Sequence, residues 1–375
     1  MENSFFGKKS TIRPDIDCYR LVLKTMARSR FPNAGDDIPK IFKSMDDIGV
    51  FPDTDCFDAA IETLRNGAKL SKPENADKYA KAAENMLIKM EREKDRSSAA
   101  NIEPTAETYT NVIEALSIRK TKKASEIADS LLKKMEDASV SNKLMSPSKG
   151  SYLGVIKTFS NAASKTSFVR ANGILQRMIA QYAAGNDAAK PDKCTYHAVI
   201  KACIASTGAL QSDDKRKEAL KLAISTVQDM KGDPATRPNS YSYLQLLRCA
   251  VRLLPAGDER EKALLSIFRN CVRDGCVDQE VIREYHSAVS DDCFRKTVIR
   301  PASTYNGTKS LPESWTKNLG YSILVQGEDG KASRKRNPVI SIYGEVIPST
   351  VYSDHKMRRL WAKTNQKLLR GGRVV

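Results

Sequence analysis

Apolar and small residues recur along most of this chain at the spacing of one face of an α-helix. Six segments share one pattern, in which an aromatic residue is followed by apolar or small residues three, four and seven positions later. In one segment, Tyr109 is followed by Val112, Ile113 and Leu116. This spacing places the four side chains on one side of a helix, so we expect each aromatic residue to open an amphipathic helix. The six aromatic residues are Tyr19, Phe57, Tyr109, Tyr152, Tyr196 and Tyr243.

A proline stands five positions before each of these aromatic residues. Proline lacks an N–H group and fixes its own φ angle, which suits a turn just ahead of a helix. The aromatic residues recur at intervals of 38 to 52 residues, and a recurring unit of this length is typical of helical repeat proteins. The prolines are Pro14, Pro52, Pro104, Pro147, Pro191 and Pro238.

A second amphipathic stretch follows each aromatic segment, and in the first five units it ends near a methionine. Two helices that are each apolar on one side cannot bury those sides alone, but neighbouring pairs of helices can form one continuous core. We therefore expect an all-α fold, an α-solenoid of about six to seven two-helix repeats over residues 14–293. The methionines are Met45, Met90, Met135, Met178 and Met230.

The two ends of the chain differ from this pattern. Residues 1–13 form an N-terminal extension. From residue 294 onward, Gly and Pro interrupt short β-like runs at 321–325 and 339–343, and helical spacing returns over 354–370 with one basic side. We expect residues 294–375 to be a basic, partly irregular C-terminal extension with a terminal amphipathic helix.

The charge of the chain indicates a class of partner. The formal net charge is +17, and residues 294–375 hold 16 Lys and Arg against 5 Asp and Glu. A basic protein favours polyanions, and nucleic acid is the first candidate. The other interpretation is a solvated basic surface that only aids solubility.

The proline, the tyrosine five positions later and the late methionine of the second helix together resemble the pentatricopeptide repeat (PPR) family. The resemblance covers residues 14–290, and the surplus length of the units lies in their loops. It implies a right-handed solenoid whose first helices line a groove for single-stranded RNA, usually in a mitochondrion or chloroplast. No transit peptide is visible at the start of this chain.

The resemblance also implies positions that read bases. In the family, the residue after the tyrosine and the residue after the next proline contact one base together. Mapped onto this chain, Thr110 with Ser148 suits such reading, and His197 with Asn239 could donate and accept hydrogen bonds. The corresponding positions elsewhere, such as Leu244, depart from the pattern.

Basic residues further along the first helices are candidates for phosphate contacts. Five positions after the aromatic residue, four units carry a Lys or Arg, and two of these units carry an Arg four positions later still. Such side chains would contact phosphates and not bases. Glu62 and Glu114 interrupt the series, and the other interpretation is that these are ordinary exposed charges. The candidates are Lys24, Arg28, Lys157, Lys201, Arg248 and Arg252.

The sequence does not predict an enzyme. It lacks a nucleophile motif and a glycine-rich phosphate loop, and its three histidines stand in unrelated segments. We expect no cofactor, no metal site and no small-molecule substrate. No run of about 18 apolar residues predicts a transmembrane segment.

The sequence thus predicts a non-enzymatic protein that binds single-stranded RNA in organellar RNA processing, stability or translation. The alternative is a protein–protein interaction scaffold of the same architecture that does not read RNA sequence.

Overall fold

A computed structural model describes residues 13–29, 31–96, 102–299 and 311–319, together with four strands of two residues each between 325 and 347. In the first four ranges every regular element is helical. The predicted all-α fold is therefore confirmed for this part of the chain. The predicted terminal helix at 354–370 and most of the N-terminal extension lie outside the described residues.

Six helices contain the aromatic residues, and we call them the first helices. The second helices alternate with them along the chain, so that the order is one first helix, one second helix, and so on. The first helices are α1 (Ile16–Arg28), α3 (Thr54–Leu70), α5 (Ala106–Leu116), α7 (Lys149–Ala162), α9 (Lys193–Ala205) and α11 (Ser240–Leu253). The second helices are α2 (Ile38–Ile48), α4 (Pro73–Arg96), α6 (Lys122–Ser139), α8 (Ser167–Ala183), α10 (Asp213–Asp229) and α12 (Asp258–Arg273).

Shorter elements complete the described chain. After α12 come α13 (Gln279–Ala288), α14 (Asp291–Phe294), a π-helical turn (Arg295–Ile299) and α15 (Glu313–Thr316). Single 3₁₀ turns lie in five connections: Ala34–Asp37, Lys143–Met145, Asp187–Ala189, Ser206–Ala209 and Met230–Gly232. Strand β1 (Val325–Gln326) pairs antiparallel with β2 (Ala332–Ser333), and β3 (Val339–Ile340) with β4 (Val346–Ile347).

The first helices begin earlier than the sequence pattern predicts. Each starts three residues before its aromatic residue, because the residue directly after the proline is the N-cap. Asp53, for example, accepts a hydrogen bond from the backbone N–H of Cys56 at 2.9 Å. Such a cap satisfies one of the N–H groups that the first turn leaves unpaired. The residues in this position are Asp15, Asp53, Thr105, Ser148, Asp192 and Asn239.

The predicted core positions are buried. Five of the six aromatic residues are buried, and Tyr19 is half-buried. The five methionines of the second helices are completely buried. Because burial of one such side chain contributes about 1.5 to 3 kcal/mol, the repeated apolar pattern supplies the stabilisation of the fold.

The first helices pack side by side as well as against second helices. Each of α3, α5 and α7 contacts the first helix before it and the first helix after it, and α4 lies against both α3 and α5. The same arrangement holds for α6 with α5 and α7, and for α8 with α7 and α9. Each of these second helices thus packs against the first helix of its own pair and the first helix of the following pair.

Ion pairs join successive second helices at equivalent positions. In α2, α4 and α6 the residue directly after the buried methionine is acidic. It pairs with a basic residue on the next second helix, which stands directly before the methionine of that helix. Lys134 Nζ lies 2.6 Å from Glu91 Oε1, and Arg177 Nε lies 3.1 Å from Glu136 Oε2. The pair between α2 and α4 is looser, with Lys89 Nζ at 3.8 Å from Asp46 Oδ2. We call these three pairs the ion-pair ladder.

The described chain divides into two compact units. The first contains the residues up to Thr236 and Arg248–Pro255, and the second contains Arg237–Leu247 and the residues from Ala256 onward. In the second unit, the ring of Phe268 stacks on Tyr285 at 4.3 Å between centroids and meets Trp315 edge-on at 5.9 Å. Among the described residues, no helix is both long enough and apolar enough to cross a bilayer.

Candidate nucleic-acid interface

The charges on the first helices are unevenly distributed. The three successive first helices α7, α9 and α11 contain no Asp or Glu within their bounds. By contrast, the charged residues of α5 are both acidic, namely Glu107 and Glu114. Helices that carry one sign of charge attract a polyanion over a distance set by the ionic strength. The six basic residues on these helices are Lys149, Lys157, Lys193, Lys201, Arg248 and Arg252.

Four of the six predicted phosphate-binding residues occupy equivalent positions on four different first helices. Five residues after each aromatic residue stand Lys24, Glu62, Glu114, Lys157, Lys201 and Arg248 in chain order. Helices α7 and α9 pack against each other, so Lys157 and Lys201 are equivalent side chains on adjacent helices. Both are exposed, and within the described part of the chain neither forms an ion pair with a carboxylate. Arg28, Arg248 and Arg252 are also exposed.

The first three first helices use their basic residues differently. Lys24 Nζ lies 2.6 Å from Asp55 Oδ2 on α3, and Lys69 Nζ lies 2.5 Å from Glu114 Oε2 on α5. Exposed pairs of this kind contribute little to stability, but they compensate positive charge locally. The exposed lysines of the first helices without a carboxylate partner among the described residues, Lys157 and Lys201, therefore lie on α7 and α9.

Thr110 and Ser148, the first predicted base-reading pair, make hydrogen bonds within the protein. The Thr110 hydroxyl donates to the carbonyl of Ala106 at 2.7 Å and lies 2.8 Å from the Ser151 hydroxyl. Ser148 is the N-cap of α7, and its backbone N–H donates to Ser151 Oγ at 3.2 Å. Both side chains are half-buried. Ser151 thus links α5 to the beginning of α7.

His197 is buried in α9, with 9% of its surface exposed. The pKa of the imidazole is lowered to about 4, first by burial and then by the positive charges of Lys193 and Lys201, against the opposing effect of Asp192. The neutral ring is therefore the form present at neutral pH.

Asn239, the predicted partner of His197 in base reading, is the N-cap of α11. Its Oδ1 accepts hydrogen bonds from the backbone N–H and from the hydroxyl of Ser242, each at 3.0 Å. Sequence reasoning assigned this position and Ser148 to RNA and overlooked capping. The signal was present in the sequence, because Asp, Thr, Ser or Asn directly after a proline and before an apolar run is typical of a helix N-terminus.

The described residues include no group of three or more His, Cys, Asp or Glu side chains placed to hold a metal ion. The eight cysteines are all free thiols, and five of them are buried. Burial raises the pKa of Cys56 and of Cys203 to about 12 in each case, so these thiols stay protonated at neutral pH.

Comparison with known proteins does not assign this chain to a family. No protein-family model matches it, and no curated protein shows significant similarity to it.

Proposed function

We propose that this chain is a pentatricopeptide-like protein that binds single-stranded RNA through the exposed faces of α7 and α9 and through Arg248 and Arg252 of α11. Its architecture would be a right-handed α-solenoid of about six to seven two-helix repeats. Its role would be non-enzymatic, in RNA processing, stability or translation in a mitochondrion or chloroplast. The observation that carries the proposal is that these three successive first helices carry six basic and no acidic residues.

The repeat part of the proposal is supported by contacts that recur at equivalent positions. The N-cap after each proline, the buried methionine and the ion-pair ladder all recur with the sequence unit. The side-by-side packing of α3, α5 and α7 supports a stack in which each pair of helices is buried by its neighbours.

The RNA part is supported by the chemistry of the side chains. Lys157 and Lys201 are exposed ammonium groups, which suit phosphate oxygens and carry no information about base identity. Thr110, Ser148 and Asn239 already make hydrogen bonds within the protein, and His197 is buried and neutral. We therefore propose a mode of binding that depends strongly on salt and weakly on sequence.

A fluorescence anisotropy titration tests this proposal. The whole chain is titrated into a labelled single-stranded RNA of about 20 nucleotides at salt concentrations from ~50 to ~200 mM. We expect the logarithm of the affinity to fall linearly with the logarithm of the salt concentration, by about 0.7 for each phosphate contact. RNAs of different sequence should bind with similar affinity, and a duplex of the same length should bind more weakly. Absence of binding at ~50 mM salt would remove the proposal.

The alternative function is a protein–protein interaction scaffold of the same architecture. The observation that favours it is the internal use of the side chains predicted to read bases. If the titration shows no RNA binding while the protein is folded, this function becomes the better explanation of the exposed faces of the helices.

A further inference from the structure

The ion-pair ladder ends between α8 and α10. The two positions that would form its next pair are Ile179, one residue after Met178, and Asp229, one residue before Met230. The basic residue that the ladder would place before the methionine is thus replaced by an acid, and the acidic residue is replaced by an apolar side chain. No pair can form here.

A cavity of about 200 Å³ lies at this junction. Ile179 and Asp229 both line it. The ring of Tyr196, the aromatic residue of α9, lines it as well, and only 7% of the Tyr196 surface is exposed. In the two ladder pairs that precede the cavity, the corresponding hydroxyl groups of Tyr109 and Tyr152 donate to the acidic member of the pair, at 3.0 and 2.9 Å.

The cavity carries an uncompensated negative charge. Within the described part of the chain, Asp229 has no hydrogen-bond or ion-pair partner. The second carboxylate of the cavity, on Asp233, lies 3.4 Å from Lys190 Nζ, and this ammonium group also lies 5.7 Å from the centroid of the Tyr182 ring. Lys190 therefore compensates Asp233, and Asp229 remains. Asp229 is exposed, and partial desolvation raises the pKa of its carboxyl.

We propose that this cavity binds the side chain of an arginine or lysine from a partner protein. A guanidinium or ammonium group would supply the cation that is missing from the ladder, and the ring of Tyr196 would contact the cation or its alkyl stem. The volume lies below the range of about 300 to 1,000 Å³ that is typical of small-molecule sites and suits one side chain. Arginine is also enriched among the residues that anchor protein interfaces.

This inference does not rest on RNA binding. The acid and the apolar residue that interrupt the ladder belong to the second helices α8 and α10, whereas the proposed RNA interface uses lysines and arginines of the first helices. Failure of one proposal leaves the other intact.

Saturation-transfer difference NMR on the whole chain tests the inference. The probe is N-acetyl-arginine amide, and the neutral comparison is N-acetyl-citrulline amide, which has a similar shape without the charge. We expect transfer to the arginine probe and at least a fivefold weaker signal for citrulline. Equal signals from the two probes would overturn the proposal, because the charge of Asp229 would then play no part.

Two variants and a control locate the site. Asp229→Asn removes the charge, and we expect at least a fivefold loss of the signal from the arginine probe. Ile179→Lys offers Asp229 a partner from within the chain, and we expect it to block the probe without loss of thermal stability. Asp214→Asn removes an exposed charge from the same helix, α10, and should leave binding unchanged. Unchanged binding in both Asp229→Asn and Ile179→Lys would place the probe elsewhere and overturn the proposal.

A third probe distinguishes a protein partner from a free amine. Putrescine carries ammonium groups without the amide backbone of a peptide. We expect it to bind no more tightly than the arginine probe. Binding at least tenfold tighter would indicate a site for a small polyamine and would overturn the assignment to a partner protein.

Discussion

Gly154 of α7 lies so close to Ile113 of α5 that a Cβ atom at position 154 would stand 2.7 Å from Ile113 Cγ2. The Cγ2 atom is attached directly to the β-carbon of a branched side chain, so it cannot move away without a change of rotamer or backbone. The glycine therefore sets the distance between two neighbouring first helices.

We expect Gly154→Ala to destabilise the protein by up to about 2 kcal/mol. The overpacking cost is about 1 to 3 kcal/mol, and the better helix propensity of alanine offsets about 1 kcal/mol of it. Urea unfolding followed by circular dichroism measures the change. The matched control is Gly173→Ala on α8, where a Cβ atom would meet nothing within 4 Å. The control should be neutral or more stable by up to ~1 kcal/mol, and equal effects of the two changes would contradict the close approach.

Glu136 holds three helices together. It accepts a hydrogen bond from the Tyr152 hydroxyl of α7 at 2.9 Å and pairs with Arg177 of α8, and only 14% of its side chain is exposed. Glu136→Gln should lower the free energy of unfolding by about 1 to 3 kcal/mol, since it removes one of the two carboxylates that pair with the half-buried guanidinium group of Arg177 and leaves only Asp129, at 2.7 Å. The control is Glu126→Gln, which affects an exposed pair with Lys122 and should cost less than about 0.5 kcal/mol. A loss as small as that of the control would show that the ladder does not stabilise the fold.

Asp58 gives the stability a dependence on pH. The pKa of this carboxyl is raised to about 6, chiefly by burial and also by the negative charges of Glu107, Asp55 and Asp53, against the opposing hydrogen bond from the Thr108 hydroxyl. The folded state holds this proton more tightly than the unfolded state, whose pKa is about 3.9. The contribution of Asp58 to stability is therefore present below about pH 4 and is lost as the pH rises through about 6.

The variant Asp58→Asn cannot ionise, so its stability relative to the natural protein should increase between pH 4 and pH 7. Unfolding in urea at several pH values measures this difference. Asp47→Asn, a change of an exposed residue of α2, should show no such trend. A difference that stays constant over this range would indicate that folding does not raise the pKa of Asp58.

His197 should remain neutral throughout the physiological range. Its pKa is lowered to about 4, chiefly by burial, so its imidazole C–H signals should not shift between pH 5.5 and pH 8. The unfolded state binds a proton near pH 6.5 and the folded state does not, so this group favours folding above about pH 6.5 and ceases to do so as the pH falls to about 4. NMR titration measures the shifts, and His197→Gln identifies the signal. A midpoint near 6.5 would show that the ring is solvated and accessible to RNA.

The proposed RNA interface predicts the effect of two lysines. Lys157→Ala combined with Lys201→Ala should weaken binding to all single-stranded RNAs alike and reduce the salt slope by about 1.4, which corresponds to two phosphate contacts. The control combines Lys133→Ala and Lys221→Ala, two exposed lysines of second helices, and loses the same charge. If the control weakens binding as much, net charge alone explains the affinity. Loss of binding to one RNA sequence only would indicate base contacts instead.

Local sequence was sufficient to predict the helices and their buried faces. Tyr152 and Met135 were predicted to face the core from spacing alone, and both are completely buried. The aromatic residues were wrongly placed at the beginning of each helix, because the capping role of the residue after the proline was overlooked. Asp53 and its hydrogen bond to Cys56 show how local that missed signal is.

The functional surface could be predicted only in part. The sequence by itself determined the periodic helices, the core positions and the sign of the charge on α7 and α9, because these depend on residues a few positions apart. Only the tertiary structure decided that Lys24 is paired with Asp55, that His197 is buried, and that the ion-pair ladder ends at Asp229. The physical reason is that each of these properties depends on residues more than about 30 positions apart in the sequence or on burial by several helices, and only packing brings those groups together.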